Sequence, residues 1–126
     1  MSSEKGPIRD YKDLQVWQKS MELAKHIYEL TLSFPGEEKF GLVSQMRRAA
    51  VSVPSNIAEG QARNTTGEFI QFISHAEGSL AELDTQLRLA QVLGLCPRID
   101  TGGISARIIE LQKMLKSLRR SLGSGH

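Results

Sequence analysis

Apolar residues in this chain return at alternating intervals of three and four, and they do so in four separate segments. Over about residues 13–33, Leu14, Trp17, Met21, Ala24 and Tyr28 step by 3, 4, 3 and 4. Over about 38–62, Val43, Met46, Ala50, Val53 and Ile57 repeat the same steps. The cleanest run lies over about 66–93: Phe69, Ile73, Ala76, Leu80, Leu83, Leu87 and Ala90. The last, over about 101–122, holds Ile104, Ile108, Leu111, Leu115, Leu118 and Leu122. This spacing keeps one stripe of a helix facing a partner at a shallow crossing angle. No window alternates with period two, so strands are not expected. Four such segments with short connectors predict an all-α, antiparallel up-down-up-down four-helix bundle.

The boundaries follow from local signals. Asp13 is placed to cap the first helix. Phe34-Pro35-Gly36 ends it, and Gly94 ends the third. The bundle domain is therefore expected over 13–122. A flexible segment precedes it at 1–12, and a frayed tail or expression remnant follows at 123–126. Leu23, Ile27 and Leu30 flank the first seam, and Phe72 and Ile109 flank others. Such flanks serve either ordinary packing or a contact between copies.

The stretch SVPSNIAEG, residues 52–60, places Pro54 inside the second helical pattern. Val53 and Ile57 keep the register set by Val43, Met46 and Ala50, whereas a loop would reset it. One helix with a kink at Pro54 is expected, the proline removing one backbone bond near Ala50. A polar row of Gln45, Arg48, Ser52, Asn56, Glu59 and Arg63 lies about 140° from the apolar stripe. It is either a solvated face with a Glu59–Arg63 pair or an assembly and docking face. Ser52 and Asn56 favour the second, because both are mediocre helix formers. Arg47, on the stripe's flank, is expected to pair with Glu77 or Asp84 of the third helix.

The composition excludes several classes. With 40% apolar and 24% charged residues the chain is an ordinary globular one. Cys96 is the only cysteine, so no intrachain disulfide forms and a reducing, cytoplasmic compartment is expected. The opening MSSEKGPIRDYKD has no apolar core of a signal peptide. No apolar run approaches the length of a membrane span. His26 and His75 lie in no metal-binding motif, and Glu22–His26 has no supporting second pair. No cofactor, metal site or catalytic constellation is expected. A mutase-like site would need Arg47, Arg48 and Glu59 to converge, yet the two arginines lie about 100° apart on one helix.

Charge is segregated along the chain. Net charge is +2 overall, but −3 over residues 66–93 and +4 from residue 101 onward. Lys113, Lys116 and Arg120 share a face, with Arg119 beside them. They are either cations favouring the helix C-terminus or phosphate contacts for RNA or DNA. No aromatic is interleaved, so base stacking is not indicated and sequence specificity should be weak.

The blocks DLQVWQKSMELAKHIYELTLSFPGEEKFGL, QMRRAAVSVPSNIAEG and FIQFISHAEGSLAELDTQLRLAQVLG carry a family resemblance. Over about residues 14–95 the chain resembles the four-helix-bundle proteins encoded in intervening sequences of bacterial large-subunit ribosomal RNA genes. The accessory variability proteins of diversity-generating retroelements look like relatives. The resemblance implies a homopentameric ring with a central channel and no known catalytic activity. In the retroelement relatives a basic ring binds nucleic acid and a reverse transcriptase. For this chain that implies itself, RNA or DNA, and a nucleic-acid-processing protein as partners, with no membrane. Five +2 chains would carry roughly +10, and phosphate contacts would add around the ring. The alternative is a protein-only scaffold that docks its partner through the Ser52–Asn56–Glu59 face.

Overall fold

The computed structural model describes residues 10–38, 40–96 and 98–124. Among these the only regular elements are helices: α1 Gln15–Thr31, α2 Leu42–Gln61, α3 Thr66–Val92 and α4 Arg98–Ser124. Two 3-10 turns accompany them, Tyr11–Asp13 before α1 and Gly36–Glu38 between α1 and α2. Helix α2 packs on α1 and α3, α3 packs on α4, and α4 returns to α1. The four helices therefore stand round a square, with α1 diagonal to α3. The short connections reverse the chain each time, as the up-down arrangement requires.

Local chemistry sets most helix ends. Thr65 caps α3: its Oγ1 accepts from the Glu68 N–H at 3.2 Å and donates to the Glu68 carboxylate at 2.9 Å. At the other end Gly94 sits at φ 72°, which a side chain would strain. Around it the Leu95 N–H donates to the Ala90 carbonyl at 2.9 Å and the Gly94 N–H to Gln91 at 3.0 Å. Those two bonds are the Schellman pattern. The expected cap at Asp13 is not made. Asp10 instead caps the preceding 3-10 turn, accepting from the Lys12 N–H at 2.8 Å, and α1 begins at Gln15 without a side-chain cap. The 3-10 turn at Tyr11–Asp13 precedes α1, and residues 1–9 and 125–126 of the expected flexible ends lie outside the described residues.

The predicted seams of α2, α3 and α4 form the core. Met46, Val53, Ile57, Ile73, Leu80, Leu83, Leu87, Ile108, Leu111 and Leu115 are all essentially inaccessible to solvent. Helix α1 is turned relative to expectation. Its buried stripe is Val16, Ser20, Leu23, Ala24, Ile27 and Leu30, so of the expected seam Ala24 is buried, whereas Met21 and Tyr28 are 46% and 43% exposed. The reason lies at Ser20, a polar residue at 0% exposure that interrupts the true stripe. Its hydroxyl donates to the Trp17 carbonyl at 2.8 Å, so burial leaves no unpaired group.

Helix α2 runs unbroken through Pro54, which is buried. The continuous register read from the sequence is therefore a continuous helix. Where α2 meets α3 the backbones come close at Gly60: a Cβ there would stand 2.7 Å from Phe72 Cβ.

Candidate nucleic-acid interface

Helix α4 buries Ile104, Ile108, Leu111 and Leu115, and this fixes where its cations point. Lys113, Lys116 and Arg120 fall about 110–170° from that stripe and within about 60° of one another. All three are exposed, and none makes an ion pair among the described residues. The triad read from the sequence is thus a coherent free cationic face.

Arg119 is placed elsewhere. It turns inward to α3, where its Nε donates to Glu77 Oε1 at 2.8 Å and its Nη2 to Glu77 Oε2 at 3.3 Å. This is a two-pronged charge-assisted clamp. The hydrogen bond to Glu77, and then Glu77's charge, raise the Arg119 pKa above its ordinary value against a small opposing effect of burial. The cation persists throughout the working pH range, and Arg119 acts as a tie between α3 and α4. Arg119→Ala is expected to lower Tm in a thermal melt while leaving RNA affinity nearly unchanged.

The same clamp corrects the expected Arg47–carboxylate pair. Glu77 is taken by Arg119, and Asp84 pairs with Arg88 at 3.1 Å. Arg47 faces α1 instead. Its Nε donates to Thr31 Oγ1 at 2.9 Å, its Nη2 to the Tyr28 carbonyl at 3.3 Å, and its guanidinium stacks 4.5 Å from the Tyr28 ring. It closes the C-terminal end of α1, where a cation is electrostatically favoured.

The polar row of α2 divides in three. Arg48 is exposed and makes no ion pair among the described residues. Ser52 and Asn56 are half-buried against α3: the Ser52 and Ser79 hydroxyls bond at 2.8 Å, and Asn56 Nδ2 donates to the Ser52 carbonyl and hydroxyl at 2.8 and 2.9 Å. Their poor helix propensity is thus matched by a lateral network inside the bundle. Glu59 and Arg63 pair at 3.6 Å, with Arg63 also 4.8 Å from the Phe72 ring. Glu59 is therefore committed to Arg63, and the three groups a mutase-like site would need do not converge, although Arg47 and Arg48 border one depression.

That depression and a second one adjoin along the α1–α2 side. One is lined by Tyr28, Phe40, Val43, Arg47, Arg48 and Val51 among others. The next is lined by Trp17, Met21, Lys25, Tyr28, Val51 and Pro54 among others. The expected α1 seam therefore forms an exposed apolar groove. Its signal was present in the sequence as the second apolar stripe of α1.

No three His, Cys, Asp or Glu residues cluster to hold a metal among the described residues. No helix among them is long and apolar enough to cross a membrane.

Fold and surface together define an all-α four-helix bundle with a cationic helix face and an open apolar groove. The chain matches the family described as 23S rRNA-intervening sequence protein over residues 12–117, and it belongs to that family. It is also similar to a solved protein of unknown function from the S23 ribosomal protein family of Bacteroides thetaiotaomicron VPI-5482. The two share 26% identity with a TM-score of 0.77, covering 83% of this chain and 95% of that one. No curated protein matches the chain.

Proposed function

We propose that this protein is a non-enzymatic, cytoplasmic, self-assembling scaffold that binds RNA with low sequence specificity through the outer face of α4. The observation that carries the proposal is the free triad Lys113, Lys116 and Arg120. Three unpaired cations on one face fit the spaced charges of a phosphate backbone, and the absence of neighbouring aromatics fits backbone rather than base contact. The names of the family and of its solved member, which refer to 23S rRNA and to ribosomal protein, support an RNA ligand. Assembly into a ring, a pentamer by the family resemblance, would repeat the triad and multiply the contacts. A resemblance to the retroelement accessory proteins would add a nucleic-acid-processing enzyme as a second partner.

The test is fluorescence anisotropy of a labelled structured RNA across about 50–300 mM salt. The logarithm of affinity should fall with the logarithm of salt with a slope of about −2 to −3 per bound triad. Lys113→Ala with Lys116→Ala and Arg120→Ala should weaken binding more than about tenfold at low salt. A triple variant that binds as well as the parent removes α4 as the interface. No binding by the parent at any salt removes the RNA ligand altogether.

The protein-only scaffold remains the second reading, and the free Arg48 at the groove's edge favours it. Ser52 and Asn56 belong to the α2–α3 network, so a partner docking there would meet Arg48, Glu59 and Arg63.

A further inference from the structure

We infer that copies of this chain join head to tail, the outer face of α3 of one copy seating in the α1–α2 groove of the next. This rests on the self-assembly part of the proposed function and assigns the two surfaces that would carry it. The groove is one of them. Met21, Tyr28 and Val51 are each more than 40% exposed along it. The residues lining its two depressions include the cations Lys25, Arg47 and Arg48 and no carboxylate. Its natural occupant is an apolar helix face bearing negative charge.

Helix α3 presents such a face. Its outward row runs Ser74, Gly78, Ala81, Thr85, Leu89 and Val92, uncharged for about five turns. Leu89 is 47% and Val92 82% exposed, where a solvated helix face would carry charges. The small residues at Gly78 and Ala81 leave room for close approach, and a Cβ at Gly78 would meet nothing. The exposed charge beside this row that lacks a partner among the described residues is Glu82, since Asp84 and Arg88 neutralise each other. Groove and ridge are thus complementary in polarity and charge sign. They also lie on different sides of the square, because α3 is diagonal to α1. A copy cannot satisfy both with one partner. The contact is heterologous, and it either closes a ring or propagates.

The test uses two variants of the full chain, each altered only at exposed positions and each checked for unchanged helicity. Met21→Glu with Val51→Glu blocks the groove. Ala81→Arg with Thr85→Arg blocks the ridge. By multi-angle light scattering each should be a monomer of 14.0 kDa, while the parent is larger. Mixed one to one, the intact ridge of the first should fill the intact groove of the second. The mixture should then give a heterodimer of about 28 kDa and nothing higher. A mixture that stays monomeric, or a ridge variant that still assembles like the parent, overturns the pairing while leaving self-assembly standing. A groove filled by another protein is the outcome in which only the groove variant loses binding to that protein and the parent shows no self-association. A parent monomeric at every concentration removes self-assembly and this pairing together, with RNA binding judged separately by anisotropy.

Discussion

Gly60→Val is expected to destabilise the bundle by about 3 kcal/mol, a fall in Tm of about 10–15 °C. A Cβ at residue 60 would lie 2.7 Å from Phe72 Cβ, 3.0 Å from Phe69 Cδ1 and 3.4 Å from the Phe69 carbonyl oxygen. Carbon atoms in contact normally stand about 3.5–4.0 Å apart. Phe72 Cβ is fixed to the α3 backbone, so no rotamer change relieves the clash. The helices must separate, which loosens the Ser52–Ser79 hydrogen bond at 2.8 Å further along the same seam. Replacing a helical glycine gains at most about 1 kcal/mol of propensity, less for valine, and does not offset this. Gly103→Ala is the contrast: a Cβ there meets nothing, and stability should rise by about 0.5–1 kcal/mol. Urea melts followed by circular dichroism measure both. A Gly60→Val protein as stable as the parent would mean that α2 and α3 are not in close backbone contact.

Leu23→Ala should cost about 3–4 kcal/mol, and Met21→Ala less than about 1 kcal/mol in the monomer. The two residues sit two positions apart on α1, and the apolar spacing alone favours Met21 for the core. Leu23 is 0% exposed and Met21 46% exposed. Truncating the first loses the transfer energy of its side chain and leaves a cavity among neighbours that cannot fully collapse. Truncating the second removes methylenes already half in water. Equal losses would place Met21 in the core and turn α1 back to the orientation its sequence suggests.

Much of the fold was legible because 3-4 spacing has a single structural meaning when only one stripe is apolar. That holds for α2, α3 and α4, whose predicted stripes are the buried ones. Pro54 did not mislead, since the register of Val53 and Ile57 ran past it. The cationic face was legible for the same reason: once Ile108, Leu111 and Leu115 are fixed inward, Lys113, Lys116 and Arg120 have nowhere to point but out. Arg119 was not, because its position between core and surface lets a long side chain go either way. Its partner Glu77 lies on another helix, 42 residues away.

By itself, then, the sequence determined the helices, three of their four buried faces and the placement of the free charges, because each depends on spacing within one segment. The tertiary structure alone decided which stripe of α1 is buried, which carboxylate Arg119 meets, why Arg47 serves α1, and that Ser52, held by Asn56, bonds across to Ser79 of α3. Helix α1 has two stripes of nearly equal apolarity. The choice between them falls to the three other helices, since burying Ser20 costs little once Trp17 lends its carbonyl, and Met21 and Tyr28 are left to line the open groove.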